Sequence, residues 1–146
     1  MKEREMRLTH AALVEVLDYN KETGVFTWKK ITSNRVKIGD IAGQLDGHGH
    51  RLISVNGTRY GAHRLAWFYV NGVWPSDEID HINLMRDDNR ITNLREANRN
   101  ENNRNVGMKS HNTTGFKGVV RHSKAPKFMA QIVVNGQNKY LGLFET

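Results

Sequence analysis

Glu78-Ile79-Asp80-His81-Ile82-Asn83, then Asp88-Asn89-Arg90-Ile91-Thr92-Asn93-Leu94-Arg95, then Asn98-Arg99-Asn100-Glu101-Asn102: this stretch decides how the 146-residue chain reads. An Asp beside a His can serve one phosphate, the carboxylate holding a divalent cation and the imidazole taking a proton from water. Asn93 comes twelve residues after His81, room for a loop and a returning strand; Asn102 comes nine residues later, room for that strand to enter a helix. Nine of the fifteen Asn fall between Asn83 and Asn112, with Arg86, Arg90, Arg95, Arg99 and Arg104 among them. Such a segment is poor material for a packed core and good material for meeting phosphates and a metal. Successive strand residues point to opposite faces, so Asp80 and His81 must flank a phosphate unless the strand twists sharply.

The surrounding sequence predicts mixed elements, an α+β chain. Thr9 is placed to cap a helix through Leu13, Val14, Val16 and Leu17, and Val25-Phe26-Thr27-Trp28 has strand composition. Arg51 to Val55, Asn56-Gly57, then Thr58-Arg59-Tyr60 reads as a hairpin, because Asn-Gly tolerates the positive φ angles of its turn. From His63 to Val70 the apolar spacing turns helical, and Asn71-Gly72 can end that helix. Glu78 to Ile82 reads as a strand. Thr92 to Ala97 is ambiguous; strand there and helix from Asn98-Arg99-Asn100-Glu101 is preferred, because a hairpin feeding a helix gathers the polar residues. Three short strands follow between Gly115 and Phe144, with a second hairpin turn at Asn135-Gly136. The expected division is an N-terminal helix and hairpin region (1–62), a polar core (63–106), a linker (107–114) and a three-stranded antiparallel sheet (115–146).

Charge points to a polyanion. The chain has 22 Lys and Arg against 15 Asp and Glu, a net charge of +7, and no acidic residue between Asn102 and Phe144. Arg104, Lys109, Lys117, Arg121, Lys124, Lys127 and Lys139 all lie in that acid-free stretch, which reads as a nucleic-acid footprint. There is no cysteine, which excludes disulfides and a Cys-rich zinc ribbon. No apolar run approaches the roughly 18 residues of a membrane span, and the charged N-terminus leads into no signal core, so the expectation is a chain that stays in the cytoplasm and meets no membrane. Mean hydropathy is −0.65.

The run His63-Arg64-Leu65-Ala66-Trp67, Ile79-Asp80-His81-Ile82-Asn83, Asp88 to Arg95, and Asn98 to Asn105 resembles the HNH endonucleases of phages and their mobile introns. That resemblance implies a ββα-metal core, a phage-encoded enzyme acting in the host bacterial cell, and metal-dependent, homing-type hydrolysis of double-stranded DNA to 5′-phosphate and 3′-hydroxyl ends. It implies Asp80 and Asn102 as metal ligands, with Mg²⁺ expected first and Mn²⁺ as a substitute. It implies His81 as general base and Asn93 as the residue that braces the loop and orients His81. Where the family pattern often has a third His, Asn102 stands. Asn98, Asn103 and Asn105 compete with it as ligands on spacing alone. The arginines Arg86, Arg90, Arg95, Arg99 and Arg104, with Lys109, Lys117, Arg121, Lys124, Lys127 and Lys139, are the expected DNA contacts.

Asn112 to Val119, Phe128 to Ile132 and Leu141 to Thr146 resemble, more weakly, the three-stranded sheet of APETALA-type DNA-binding domains, without the helix that normally follows. The rival reading is a DNA-binding protein whose HNH centre is degenerate and silent. Monomer and homodimer are both open.

Overall fold

The computed structural model describes residues 3–108, 110–124, 126–134 and 136–145, except for the side chains of Arg4, Asn103 and Arg104. Lys109 and Asn135 therefore lie outside the described residues, as does the Arg104 side chain. The chain divides into two compact units, residues 1–106 and 107–146.

In the first unit a 3-10 helix (Glu3–Arg7) leads to α1 (His10–Val16), capped by the Thr9 hydroxyl, which accepts from the Ala12 amide at 3.2 Å. The predicted helix reaches one residue too far. Leu17 instead opens β1 (Leu17–Tyr19), which pairs antiparallel with β2 (Phe26–Trp28), Leu17 opposite Trp28. That pairing buries Leu17 and Tyr19 on one side, which a further helical turn would not do. β3 (Gln44–Leu45), β4 (Arg51–Val55) and β5 (Thr58–Gly61) form a small antiparallel sheet. Asn56 and Gly57 take φ of 49° and 74° at the β4–β5 turn, the positive values that residue pair tolerates. α2 (Ala62–Asn71) follows at once and ends on Gly72 in the left-handed region, φ 72°.

β6 (Glu78–His81) and β7 (Leu94–Ala97) make an antiparallel pair with Asp80 opposite Arg95 and His81 opposite Leu94. A 3-10 turn (Ile91–Asn93) precedes β7, so the ambiguous segment is part turn and part strand. α3 (Arg99–Arg104) comes next. Asn98 caps it through the Asn100 and Glu101 amides, and Glu101 returns a bond to the Asn98 amide.

The segments 1–62 and 63–106 share one apolar core. Leu13, Leu17, Phe26 and Ile53 pack with Leu65, Phe68, Ile79 and Leu94. Within it sits a buried ion pair. Arg64 on α2 donates to both carboxylate oxygens of Glu5, at 2.6 and 3.0 Å, and to the carbonyls of Asp77 (2.7 Å) and Pro75 (3.1 Å). Glu5 is 1% exposed and Arg64 6%. Gly24 supplies a second close approach: at φ 73° it lies so near the backbone of Asn89 and Arg90 that a Cβ would stand 2.4 Å from the Arg90 nitrogen.

In the second unit β8 (Val119–Arg121), β9 (Phe128–Val134) and β10 (Gln137–Phe144) form an antiparallel sheet in the order β10-β9-β8. Its register shifts between Tyr140 and Gly142. Ile132, Val133, Tyr140, Leu143 and Phe144 remain exposed.

Truncating Arg64 to Ala strands the Glu5 carboxylate in the core, and unfolding free energy falls by on the order of 3–5 kcal/mol. All three tryptophans lie in the first unit, so tryptophan fluorescence in a urea titration reads this unit alone. A loss below about 1 kcal/mol, the size of an exposed pair, would mean that Glu5 finds water. Gly24→Ala, probed the same way, also destabilises, because the added methyl meets backbone rather than a movable side chain.

Candidate metal and base centre

Asp80 and His81 are the last two residues of β6, and both are buried, 5% and 6% exposed. Their side chains meet different partners, as strand alternation requires. The Asp80 carboxylate is held from β7 by Arg95, whose Nε and Nη2 donate to Oδ2 at 3.0 and 2.8 Å. From the end of α3, Asn105 Nδ2 donates to both Asp80 oxygens (3.1 and 2.9 Å) and to the His81 carbonyl (2.9 Å). Asn102 lies three residues earlier on α3, and its Nδ2 donates to Glu78 Oε2 at 2.5 Å. Glu78 precedes Asp80 by two positions, so it shares the Asp80 face. The sequence marked Asp80 and Asn102; the structure also brings Glu78, Asn105 and Arg95 to them.

On the other side, His81 faces a cluster of rings. Its centroid is 5.3 Å from His63 of α2 and 6.2 Å from His50, which stands just before β4. Burial, then Arg86, push the His50 imidazole below its ordinary value, with Asp46 opposing. His81 Nε2 lies 3.2 Å from Asn89 Oδ1. The Asn89 amide nitrogen is committed to the Asp87 carbonyl at 3.1 Å, which fixes the amide and leaves an acceptor facing His81. With that acceptor facing it, the imidazole offers Nε2–H to Asn89. Asn89 is 1% exposed, and its own carbonyl accepts from the Tyr19 hydroxyl at 2.7 Å. Burial raises the Tyr19 phenol to about 12.

Asn93 bonds to the loop and not to His81. Its Oδ1 accepts from the Asn83 amide (3.0 Å), and its Nδ2 donates to Asn83 Oδ1 (2.9 Å) and to the Asp88 carbonyl (2.8 Å). Asn93 thus closes the turn at both ends, while the contact to the imidazole falls to Asn89. Spacing gave Asn89 no role of its own; its signal was its place in the quoted Asp88-Asn89-Arg90 run. The loop is tied down further by Arg51, which forks onto Asp87 at 2.8 Å twice, and by Arg86, which donates to the His48 carbonyl at 2.8 Å. Arg90 forks onto Asp88 (2.7 and 2.6 Å) and, more than any other neighbour, holds that carboxyl down to about 2.

The Asp80 carboxylate matches one donor of a hydrated divalent cation, and the side-chain oxygens of Asn102 and Asn105 would match others once their amides turn, since both now present N–H groups. Among the described residues no three His, Asp or Glu side chains converge as they would for an all-protein cage. One or two carboxylates with amide oxygens is the set a hydrated Mg²⁺ takes.

Of the predicted DNA contacts, Arg90 and Arg95 are paired with carboxylates and Arg86 with a carbonyl, while Arg99 is exposed on α3. In the second unit the register sets Arg121 opposite Phe128 and Lys139 opposite Ile132, four residues apart on β9, so both cations share one sheet face. The Arg121 guanidinium sits 5.6 Å from the Phe128 ring centre. Lys127 pairs with Glu145 at 3.0 Å. Lys117 and Lys124 lie in the turns that flank β8.

Two outcomes follow from this bracing. Because the folded Asp88 carboxyl titrates below its free value, its contribution is present above about pH 4 and is lost as pH falls toward about 2. Protection of the amides in residues 83–90, taken relative to their intrinsic exchange rates at each pH, should therefore fall over that window in the wild type and show no such step in Asp88→Asn. Tyr19→Phe removes the bond to the Asn89 carbonyl and costs about 1 kcal/mol in a urea titration.

Residues 60–104 match the family model described as HNH endonuclease. No curated protein and no solved structure matches the chain.

Proposed function

We propose that the chain is a metal-dependent HNH endonuclease that hydrolyses phosphodiester bonds of double-stranded DNA. The observation that carries this reading is the end of β6, where one residue presents a buried carboxylate to the Asn105 amide at the end of α3 and the next presents an imidazole beside Asn89. The family match over the same residues supports it.

His81 is the general base. With Nε2–H given to Asn89, Nδ1 is the ring atom that takes the proton from water. Asn89 is a positioning residue: it selects the tautomer and holds the ring. Asn93 keeps the loop closed, so that Asn89 and the end of β6 stay in register. Asp80 and Asn102 would hold the cation, with Asn105 beside them able to offer an oxygen once its amide turns. When bound, Mg²⁺ or Mn²⁺ supplies Lewis-acid stabilisation at the phosphoryl and leaving oxygens. Because Asp80 and His81 project from opposite faces of β6, a scissile phosphate is served from two sides, and water attacks in line with the departing 3′-oxygen. The fragments carry 5′-phosphate and 3′-hydroxyl ends.

The basic second unit supplies DNA affinity through Arg121, Lys139 and their neighbours, mainly by phosphate contacts.

Plasmid DNA with Mg²⁺ or Mn²⁺ tests the proposal. Wild type should cut it, EDTA should stop the reaction, and His81→Ala should cut on the order of 10²- to 10⁴-fold more slowly. The products should be rejoined by a ligase without end repair. DNA binding without cutting in either metal would instead support the silent-centre reading.

A further inference from the structure

The carboxylate assigned to the cation already has a positive partner. Arg95 faces Asp80 across the β6–β7 ladder and places two N–H groups on one of its oxygens, while Asn105 spans both. On the same strand face Glu78 holds Asn102 by its amide nitrogen. The exposure of the pair is unequal. The Asp80 side chain is 6% exposed and that of Arg95 47%. Asp80 cannot leave; Arg95 can, by rotating its outer bonds into solvent.

A buried carboxylate without a counter-charge is costly, and the Arg95 guanidinium supplies that counter-charge. A divalent ion on Oδ2 would face a full positive charge within contact distance, so ion and guanidinium compete for that oxygen. Once released, a guanidinium beside a metal-bound phosphate has an obvious new acceptor in a phosphate oxygen.

We propose that Arg95 is a resident counter-ion that gates the metal site: it occupies Asp80 in the free protein and moves to a backbone phosphate of bound DNA, so that the cation enters tightly only with substrate. This rests on the reading of Asp80 as a metal ligand. Metal and DNA binding are then coupled, each strengthening the other by the same factor. The free protein holds little metal and keeps its centre inactive.

The test is Mn²⁺ binding to the full chain, measured by isothermal titration calorimetry without DNA and again with a duplex bearing non-hydrolysable phosphorothioate linkages. Without DNA, Arg95→Gln should bind Mn²⁺ roughly tenfold more tightly than wild type. Arg95→Lys keeps the charge but loses the fork, and should fall between. Arg59→Gln removes an exposed charge from β5, outside the DNA contacts and the metal centre, and should change the affinity by less than about twofold. Adding the duplex should tighten Mn²⁺ binding to wild type and do so far less for Arg95→Gln. Circular dichroism and the urea midpoint establish that each variant is folded; if Arg95→Gln is not, Arg95→Lys against Arg59→Gln decides. Equal or weaker Mn²⁺ binding by folded Arg95 variants, with Asp80→Asn abolishing it, would overturn the gate and leave the metal site standing. Undiminished Mn²⁺ binding by Asp80→Asn would overturn both.

Discussion

A single buried guanidinium organises the first unit. Arg64 reaches from α2 to Glu5 in the N-terminal 3-10 helix and to the carbonyls of Pro75 and Asp77, which lead into β6. Desolvating such a pair is expensive, and the net gain in stability over an apolar substitute can be nil. What the pair does supply is position. Five donors in a rigid plane allow few arrangements, and this one fixes where the chain enters β6, hence where Asp80 and His81 emerge three and four residues after Asp77. The preceding residue, His63, lies on the same helix and faces the His81 ring. One turn of α2 therefore ties together the N-terminus, the strand entry and the imidazole cluster.

The polar loop between β6 and β7 has the complementary problem of holding its shape with almost no apolar contact. Asparagine solves it because one side chain both donates and accepts. Asn83 and Asn93 exchange bonds across the loop, Asn93 also holds the Asp88 carbonyl, and Asn89 links Asp87 to His81. Aspartates at those positions would accept only and would repel one another beside Asp80, Asp87 and Asp88. The asparagine density that first marked this segment is thus an architectural requirement of a small hydrogen-bonded loop as well as a chemical one.

What could be read in advance was what neighbouring residues encode. The Thr9 cap, the Asn56-Gly57 turn, the Gly72 stop and the Asn98–Glu101 box are each complete within a few residues, and each stands where its sequence put it. β1 and β3 were missed because their signal lies in partners far along the chain: Leu17 looks helical until Trp28 is beside it, and Gln44–Leu45 is a strand only because β4 passes by. The centre shows the same limit. Spacing placed Asn102 and Asn105 three apart on one helix, both able to face β6, and could not rank them. Only the coordinates set Asn105 on Asp80 and Asn102 on Glu78. The role of Asn89 depends on Tyr19, seventy residues earlier, which no local pattern reveals.

The two units also divide the charge. Residues 107–146 carry six of the 22 Lys and Arg but only one of the 15 Asp and Glu, so their net charge is +5 and that of residues 1–106 is +2. The first unit's arginines are largely committed: Arg51 to Asp87, Arg64 to Glu5, Arg90 to Asp88 and Arg95 to Asp80. Uncompensated positive charge is therefore concentrated in the second unit, which is where the proposed DNA substrate would be attracted at long range. Arginines paired inside the first unit contribute only where a contact can exchange one anion for another. Arg64 is too buried to exchange, and Arg51 and Arg90 hold the loop in shape. Under the proposed gate, Arg95 is the paired arginine whose carboxylate a bound cation would take over, so its release would not leave a buried charge bare.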